Sequence, residues 1–273
     1  MFGNIGKGYK LTVQSIKVIM KEPHLLALPI ISGFLFFLVM LSFVLPGIFI
    51  PILGNLDLYW AGAGIILYFV SFFLMYFTQF MVVGVAKKRF EGQDPTFNDG
   101  LNTAMAHIST IVIFSIIGSI LAILSNAMRG GKKGSIGNIL GPIIASVLGA
   151  AWTVITYLSI PIIVSENISL FDSFKKSGEI VKNNFSEGMG AVFAVGIIFL
   201  VPTLLGIGII VLGIFLLVSG MVIPGILIIL LGGLVCVLAS IVQKVVNAIV
   251  GQALYYYSVH KQFPEVFEGV EIN

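Results

Sequence analysis

Charge is what this chain has least of. Its fifteen basic and twelve acidic residues make up 10% of 273 positions, against roughly 25% in a soluble domain. That shortage excludes a globule dispersed in water, and with it the basic surface of a nucleic-acid-binding protein. Cysteine is nearly absent: Cys236 alone permits neither a disulfide framework nor a thiolate zinc site. The three histidines, His24, His107 and His260, stand apart, with no H-E-x-x-H spacing. No G-x-S-x-G elbow, Walker A loop or G-x-G-x-x-G followed by an acid occurs. The sequence therefore assigns no catalytic residue, no metal ligand and no cofactor, and the expectation is a protein that is not an enzyme.

What is present is apolar residue, 58% of the chain, gathered into six runs: Leu25–Leu53, Leu58–Val85, Ala104–Asn126, Ile139–Val164, Gly190–Val218 and Val222–Val242. Each reaches the roughly 20 residues that a helix needs to cross a bilayer. None carries a charge at its centre, where one would cost about 2.5–3.5 kcal/mol on insertion scales. Alternating strands of an outer-membrane barrel are missing, and helices satisfy their own backbone groups in lipid. The expected fold class is an all-α polytopic membrane protein of six transmembrane helices. The first run is too long for a signal-peptide core and has no small-residue cleavage site behind it, so it is read as a retained span, with the mature chain beginning near Met1.

Lys and Arg set the orientation. Twelve of the fifteen flank the spans on one side; Arg129, Lys132 and Lys133 lie on the other. Both termini are therefore expected in the cytoplasm, with the protein in the cell membrane. Of the 27 charged residues, only Asp57 and those three cations fall outside.

A threefold pattern follows. Before each pair of spans lies a short segment on the basic side: Asn4–Lys21, Phe97–His107 and Leu170–Phe185. In the first, Lys7, Lys10, Gln14, Lys17 and Lys21 recur at steps of three and four. Ile5, Tyr9, Ile16, Ile19 and Met20 lie opposite, with Leu11 and Val18 outside both stripes. The other two open with Thr96-x-x-Asp99 and Ser169-x-x-Asp172, like capping boxes. In the third, Phe171, Phe174, Gly178, Val181 and Phe185 form one stripe, and Lys175 and Glu179 are spaced to pair. Such segments suit amphipathic interfacial helices. The expected architecture is a single membrane domain of three hairpins, each preceded by one such helix (units 1–86, 87–164 and 165–260), with a short tail, 261–273.

Candidate lipid-headgroup contacts are Lys7, Lys10, Lys17, Lys21, Lys175, Lys176 and Lys182, together with Arg129, Lys132 and Lys133 of the loop Ser125–Asn138. That loop could hold a phosphate, or could be a solvated connection. Gln79, Lys244 and Asn247 form a candidate polar cluster within the membrane, and amides at such depths also serve interhelical hydrogen bonding. Pro29, Pro46, Pro142, Pro161, Pro202 and Pro224 sit in or at the ends of the spans and favour kinks. The expected partners are anionic membrane lipids and a protein on the cytoplasmic face. Three readings stay open: a non-enzymatic membrane-organising, lipid- or partner-binding protein, which leads; a transporter or channel for a small or lipidic substrate; and a membrane enzyme built on Glu166, His107 and Lys182.

One set of residues resembles a family. Ile5-Gly6-Lys7-Gly8-Tyr9-x-Leu11, Ser15-x-x-Val18 and Leu25-Leu26-x-x-Pro29 open the chain. Gly149-x-x-Trp152, Tyr157, Pro161-x-x-Val164-x-Glu166 and Phe174-Lys175-Lys176-Ser177 follow, then Ala253-Leu254-Tyr255 and Pro264. Together they resemble a prokaryotic six-span family catalogued as domain of unknown function 6159. They are more distantly similar to the membrane domain attached to some glycerophosphodiester phosphodiesterases. The chain departs from the family pattern with Phe185-Ser186-Glu187-Gly188 where Trp-Gly-Glu is expected, and with Tyr9 and Ile16 where tryptophan is usual. The resemblance implies the six-span fold and supplies no catalytic residue.

Overall fold

The computed structural model describes residues 2–49, 56–129, 137–183 and 185–267. Among them are nine helices and no strand. These are α1 (Phe2–Lys21), α2 (His24–Phe49), α3 (Leu56–Phe90), α4 (Phe97–Ala106), α5 (Ile108–Arg129), α6 (Gly137–Glu166), α7 (Leu170–Asn183), α8 (Phe185–Val218) and α9 (Val222–His260). Six of them, α2, α3, α5, α6, α8 and α9, are long and apolar enough to cross a membrane. The all-helical, six-span fold is therefore present.

The short helices start and stop where local chemistry directs. Thr96 and Asp99 close a capping box over α4: the Thr96 N–H donates to Asp99 Oδ2 at 2.7 Å, and the Asp99 N–H donates to Thr96 Oγ1 at 3.4 Å. At α7 the Asp172 N–H donates to Ser169 Oγ at 3.3 Å. One division departs from the sequence reading. The run beginning at Ala104 is divided at His107, where the backbone leaves the helix (φ −110°) and α5 starts anew at Ile108. The last span continues to His260; its 39 residues extend for roughly 58 Å, about twice the thickness of a hydrocarbon core. The helices run through Pro29, Pro46, Pro142, Pro161 and Pro202, while Pro224 falls in the first turn of α9, where no helix bond is lost.

Between α8 and α9 the chain reverses in three residues. Gly220 takes the left-handed conformation (φ +86°), its N–H donating to Leu217 O and that of Met221 to Leu216 O. These are the paired bonds of a Schellman ending.

Contacts divide the chain into two compact units, Met1–Leu26 with Ile180–Asn273, and Ala27–Glu179. In the first, α1 packs on α8 and α9, and α8 packs along α9. In the second, α3 packs on α4, α5 and α6, and α5 on α6. Packing thus does not follow chain order, since α1 lies against the last two spans.

Burial along the spans is graded. In α3, Ile65 and Ile66 are exposed, while Phe80 and Met81–Ala86 are buried. In α6, Ile143, Val147 and Val154 are exposed and Leu158–Val164 buried. In α9, Val222–Pro224 and Leu230 are exposed and Val245 and Ile249–Tyr255 buried. A helix buried on all sides is a protein core, and an exposed all-apolar one meets lipid. In each of these spans the protein core lies at the end nearer the lysines. At the lipid-facing levels the hydroxyls bond back to their own helices, as Thr153 to Gly149 O and Ser240 to Cys236 O, both at 2.8 Å. This keeps them satisfied without water.

Candidate functional site at the lysine-rich helix ends

In the Ala27–Glu179 unit, the C-terminal ends of α3 and α6 meet α4 and α7. Lys87 Nζ donates to Val164 O at 3.2 Å, tying α3 to α6. Lys88 pairs with Asp99 of α4, and Arg89 with Asp94, each at 2.5 Å. The Lys88 ammonium, with the Thr96 backbone N–H and hydroxyl, holds the Asp99 carboxyl well below the usual carboxylate range. Lys176 of α7 donates to both oxygens of Glu166, at 2.5 and 2.6 Å. Lys175 and Glu179, which the spacing suited to pairing, are both exposed. The lysine that finds an acid is Lys176, which reaches back across the left-handed Asn167 (φ +53°) to the end of α6.

Beneath these pairs lies an aromatic cluster. The Phe114 ring is surrounded by Tyr76 at 5.1 Å, Phe174 at 5.8 Å, Trp152 at 6.0 Å and Phe80 at 6.3 Å. Trp152 Nε1–H donates to Tyr76 Oη at 2.9 Å, so the indole's one polar atom is satisfied. Edge-on contacts of Phe174 with Phe114 and Trp152 anchor α7, as does the Ser177 hydroxyl, donating to Ile155 O at 3.0 Å. The stripe expected on α7 is thus split. Phe174 packs against protein, Phe171 is 76% exposed, and Phe185 belongs to α8. A second aromatic partner on α5 and α6 decides this, and periodicity within α7 carries no information about it.

His107 sits at the α4–α5 elbow. Its Nδ1 bonds Thr103 O at 2.8 Å and its ring lies 5.5 Å from Phe80. Its Nε2 and the Tyr157 hydroxyl are buried and have no hydrogen-bond partner among the described residues. Of the trio considered for an enzyme, Glu166 is engaged by Lys176, His107 by Thr103, and Lys182 falls in the other compact unit. Among the described residues no three His, Cys, Asp or Glu side chains are grouped to hold a metal. Of the polar residues suggested within the membrane, Gln79 is on α3, and Lys244 and Asn247 are on α9.

In that other unit, α1 has three strips rather than two. Leu11, Thr12, Ser15, Val18 and Ile19 are buried on the side that packs with α8 and α9. Tyr9 and Met20, 57% and 76% exposed, lie opposite, with Val13 and Ile16 half-buried between them. Lys10, Lys17 and Lys21 are exposed along the third side. The apolar face read from the sequence therefore needs correction. Leu11 and Val18, set outside it, are core residues, and Tyr9 and Met20 are more than half exposed. Two apolar strips fit on one helix, and only packing tells which has a neighbour.

The sequence offers Gly206 and Gly208 in the fifth span as glycines that permit close helix contact, and of the two Gly206 lies in the α8–α9 seam. A Cβ on Gly232 would lie 2.7 Å from Gly206 O, and one on Gly213 would lie 2.9 Å from Gly225 O. Backbones approach this closely only where side chains are absent. The available signal was the spacing, seven residues between Gly206 and Gly213 and again between Gly225 and Gly232. Gly208, by contrast, faces open space. The side chains of Lys7 and Arg129, and residues Lys132 and Lys133 of the Ser125–Asn138 loop, lie outside the described part of the structure.

No curated protein and no solved structure matches the chain, and the likeness to phosphodiesterase membrane domains has no counterpart among the comparisons. A family model does match, over residues 61–263, described as a family of unknown function, DUF6159. The match takes in most of α3 and the whole of α4, α5, α6, α7, α8 and α9, including the Phe114 cluster, the Glu166–Lys176 pair and the glycine seam. The chain, a six-span helical membrane protein, belongs to that family.

Proposed function

We propose that this protein is a non-enzymatic organiser of the cytoplasmic membrane, binding lipids or partner proteins through the short helices at its lysine-rich side, with both termini cytoplasmic. The observation that carries this reading is how firmly those helices are mounted. A capping box fixes the start of α4, and the Lys88–Asp99 and Lys176–Glu166 pairs and the Phe174 anchor hold α4 and α7 to the ends of spans. Lys175 and Lys182 are left exposed. A rigid, cation-bearing surface at a membrane boundary suits binding of anionic headgroups or of an acidic partner.

The lipid arm is tested by extracting the full-length protein with its surrounding bilayer and quantifying the lipids by mass spectrometry. Enrichment of anionic phospholipid over the bulk membrane is the expected result; a bulk composition would remove this arm. Orientation follows from the twelve-to-three distribution of cations. It predicts that S219C reacts with an impermeant thiol reagent in intact cells and that K261C does not.

The transporter reading draws on the five prolines inside spans. Saturable solute flux in proteoliposomes would replace the organising role with that one.

A further inference from the structure

We infer that α1 is an in-plane helix that binds anionic phospholipid, with Tyr9 and Met20 directed to the acyl chains and Lys17 and Lys21 to the phosphates. This rests on the lipid arm of the proposed function and narrows it from three short helices to one.

Three independent observations converge. The first is position. Only Glu22 and Pro23 separate α1 from the span α2, and the link is a tight turn, with the Leu25 N–H donating to Glu22 O at 3.0 Å and the Leu26 N–H to Pro23 O at 3.1 Å. The C-terminal end of α1 is thereby held at the end of a membrane helix.

The second is the three-strip surface. A helix lying in an interface beside other protein has three neighbours: protein, acyl chains and the headgroup layer. At 100° per residue, Leu11, Ser15 and Val18 fall on one side. Tyr9, Val13, Ile16 and Met20 fall on a second, and Lys10, Lys17 and Lys21 on a third. Their burial agrees with that division. An ordinary amphipathic helix packed on a soluble core needs two faces; a second apolar strip left 57–76% exposed at Tyr9 and Met20 calls for a non-aqueous neighbour.

The third is charge. Between Phe2 and Lys21 there are four lysines and no acid. On the other two short helices the charge is compensated: α4 carries Asp99 against Lys88, and α7 carries Asp172 and Glu179 among its lysines, with Lys176 on Glu166. Lys17 and Lys21 are exposed and form no ion pair among the described residues. An anionic leaflet supplies negative charge to Lys17 and Lys21 in the plane where the helix lies.

The test uses full-length protein in nanodiscs of phosphatidylcholine with and without phosphatidylglycerol. Nitroxide labels are placed on M20C and on K17C in a C236A background, and their accessibility to oxygen and to a water-soluble nickel chelate is measured. Oxygen access at position 20 and nickel access at position 17 is expected. The double variant K17Q/K21Q is expected to weaken retention of phosphatidylglycerol about thirtyfold, while its elution as a monodisperse species reports an intact fold.

Both labels in water would overturn the inference. So would a label at position 20 shielded from both probes, which would place a protein partner or a second copy there. If K175Q/K182Q abolishes phosphatidylglycerol enrichment and K17Q/K21Q does not, the proposed lipid role stands and this assignment fails. If the unmodified protein shows no enrichment, both fail.

Discussion

The α8–α9 hairpin and the cluster around Phe114 solve the same problem by opposite means. Along α8 and α9, glycines let two backbones touch, and the remaining side chains, such as Leu205, Phe215, Ile223 and Leu227, are more than half exposed. Around Phe114, four large rings fill the space between helices, and Tyr76, Phe80 and Phe114 itself are almost wholly buried. The reason is the neighbour each region has. A hairpin surrounded by acyl chains gains nothing from transferring apolar side chains out of lipid, so it is held by close van der Waals contact and small residues. The Phe114 cluster lies beneath a charged layer, where short helices must be held against water, and there large apolar area and edge-on ring contacts become stabilising.

The sharpest way to break this contrast is Phe114→Ala. Removing the ring at the centre of four others is expected to cost about 3–5 kcal/mol, read by denaturant or thermal unfolding in detergent, with α7 becoming susceptible to proteolysis. A loss under about 1 kcal/mol would mean that the cluster is not the anchor of α7.

Next in size is Gly232→Leu. Its first side-chain carbon alone would meet Gly206 O at 2.7 Å and Ile210 at 2.8 Å. Overpacking of that kind costs about 1–3 kcal/mol or more. Gly208→Leu is the control, since open space lies beside it, and it should leave the midpoint unchanged. Equal effects of the two would remove the glycine seam as the explanation of the α8–α9 pair.

Glu166→Gln should have a smaller effect. It leaves Lys176 with a neutral partner at a partly exposed site, where ion pairs contribute about 1 kcal/mol or less. Hydrogen exchange is expected to quicken in α7 and to stay unchanged in α8 and α9. Equal acceleration in all three helices would show that the pair does not act locally.

The mildest test is of pH. A carboxyl whose folded pKa is depressed contributes stability above its unfolded value, near 3.9 for Asp (roughly), and loses it as the pH falls through the lower folded value. Asp99 is depressed chiefly by Lys88 and then by Thr96. After correction for intrinsic rates, exchange from α4 should therefore be flat from neutral pH to about pH 5 and rise only in stronger acid. Asp99→Asn should abolish that acid-dependent change, and an unaltered profile would remove Asp99 from the account of α4.

Much of the fold is legible in the chain because the determinants are local. Span length follows from how many apolar residues run together, and Thr96, Asp99, Ser169 and Asp172 mark helix starts within four residues of themselves. Errors came where a residue's role depends on a neighbour distant in sequence. His107 interrupts what reads as continuous apolar sequence, because an elbow is needed to lay α4 against Met81 and Val85 of α3; a Cβ on Gly100 would come within 3.1 Å of both. Phe171 and Phe174 look equivalent on a helical wheel, yet only one has Trp152 and Phe114 beside it.

The same division runs through the lysine-rich end as a whole. Composition and spacing by themselves determined that this is a six-span helical membrane protein with its cations gathered near one set of helix ends, since the energies of lipid transfer and of helix caps are summed residue by residue. Tertiary structure alone decided which lysines meet acids, as Lys88 and Lys176 do, and which are left on an exposed helix side, as Lys17 and Lys21 are. It alone decided that Leu11 and Val18 of α1, and not Tyr9 and Met20, are core. The physical reason is that a pair energy depends on a distance, and the distances that matter here join helices far apart in the chain.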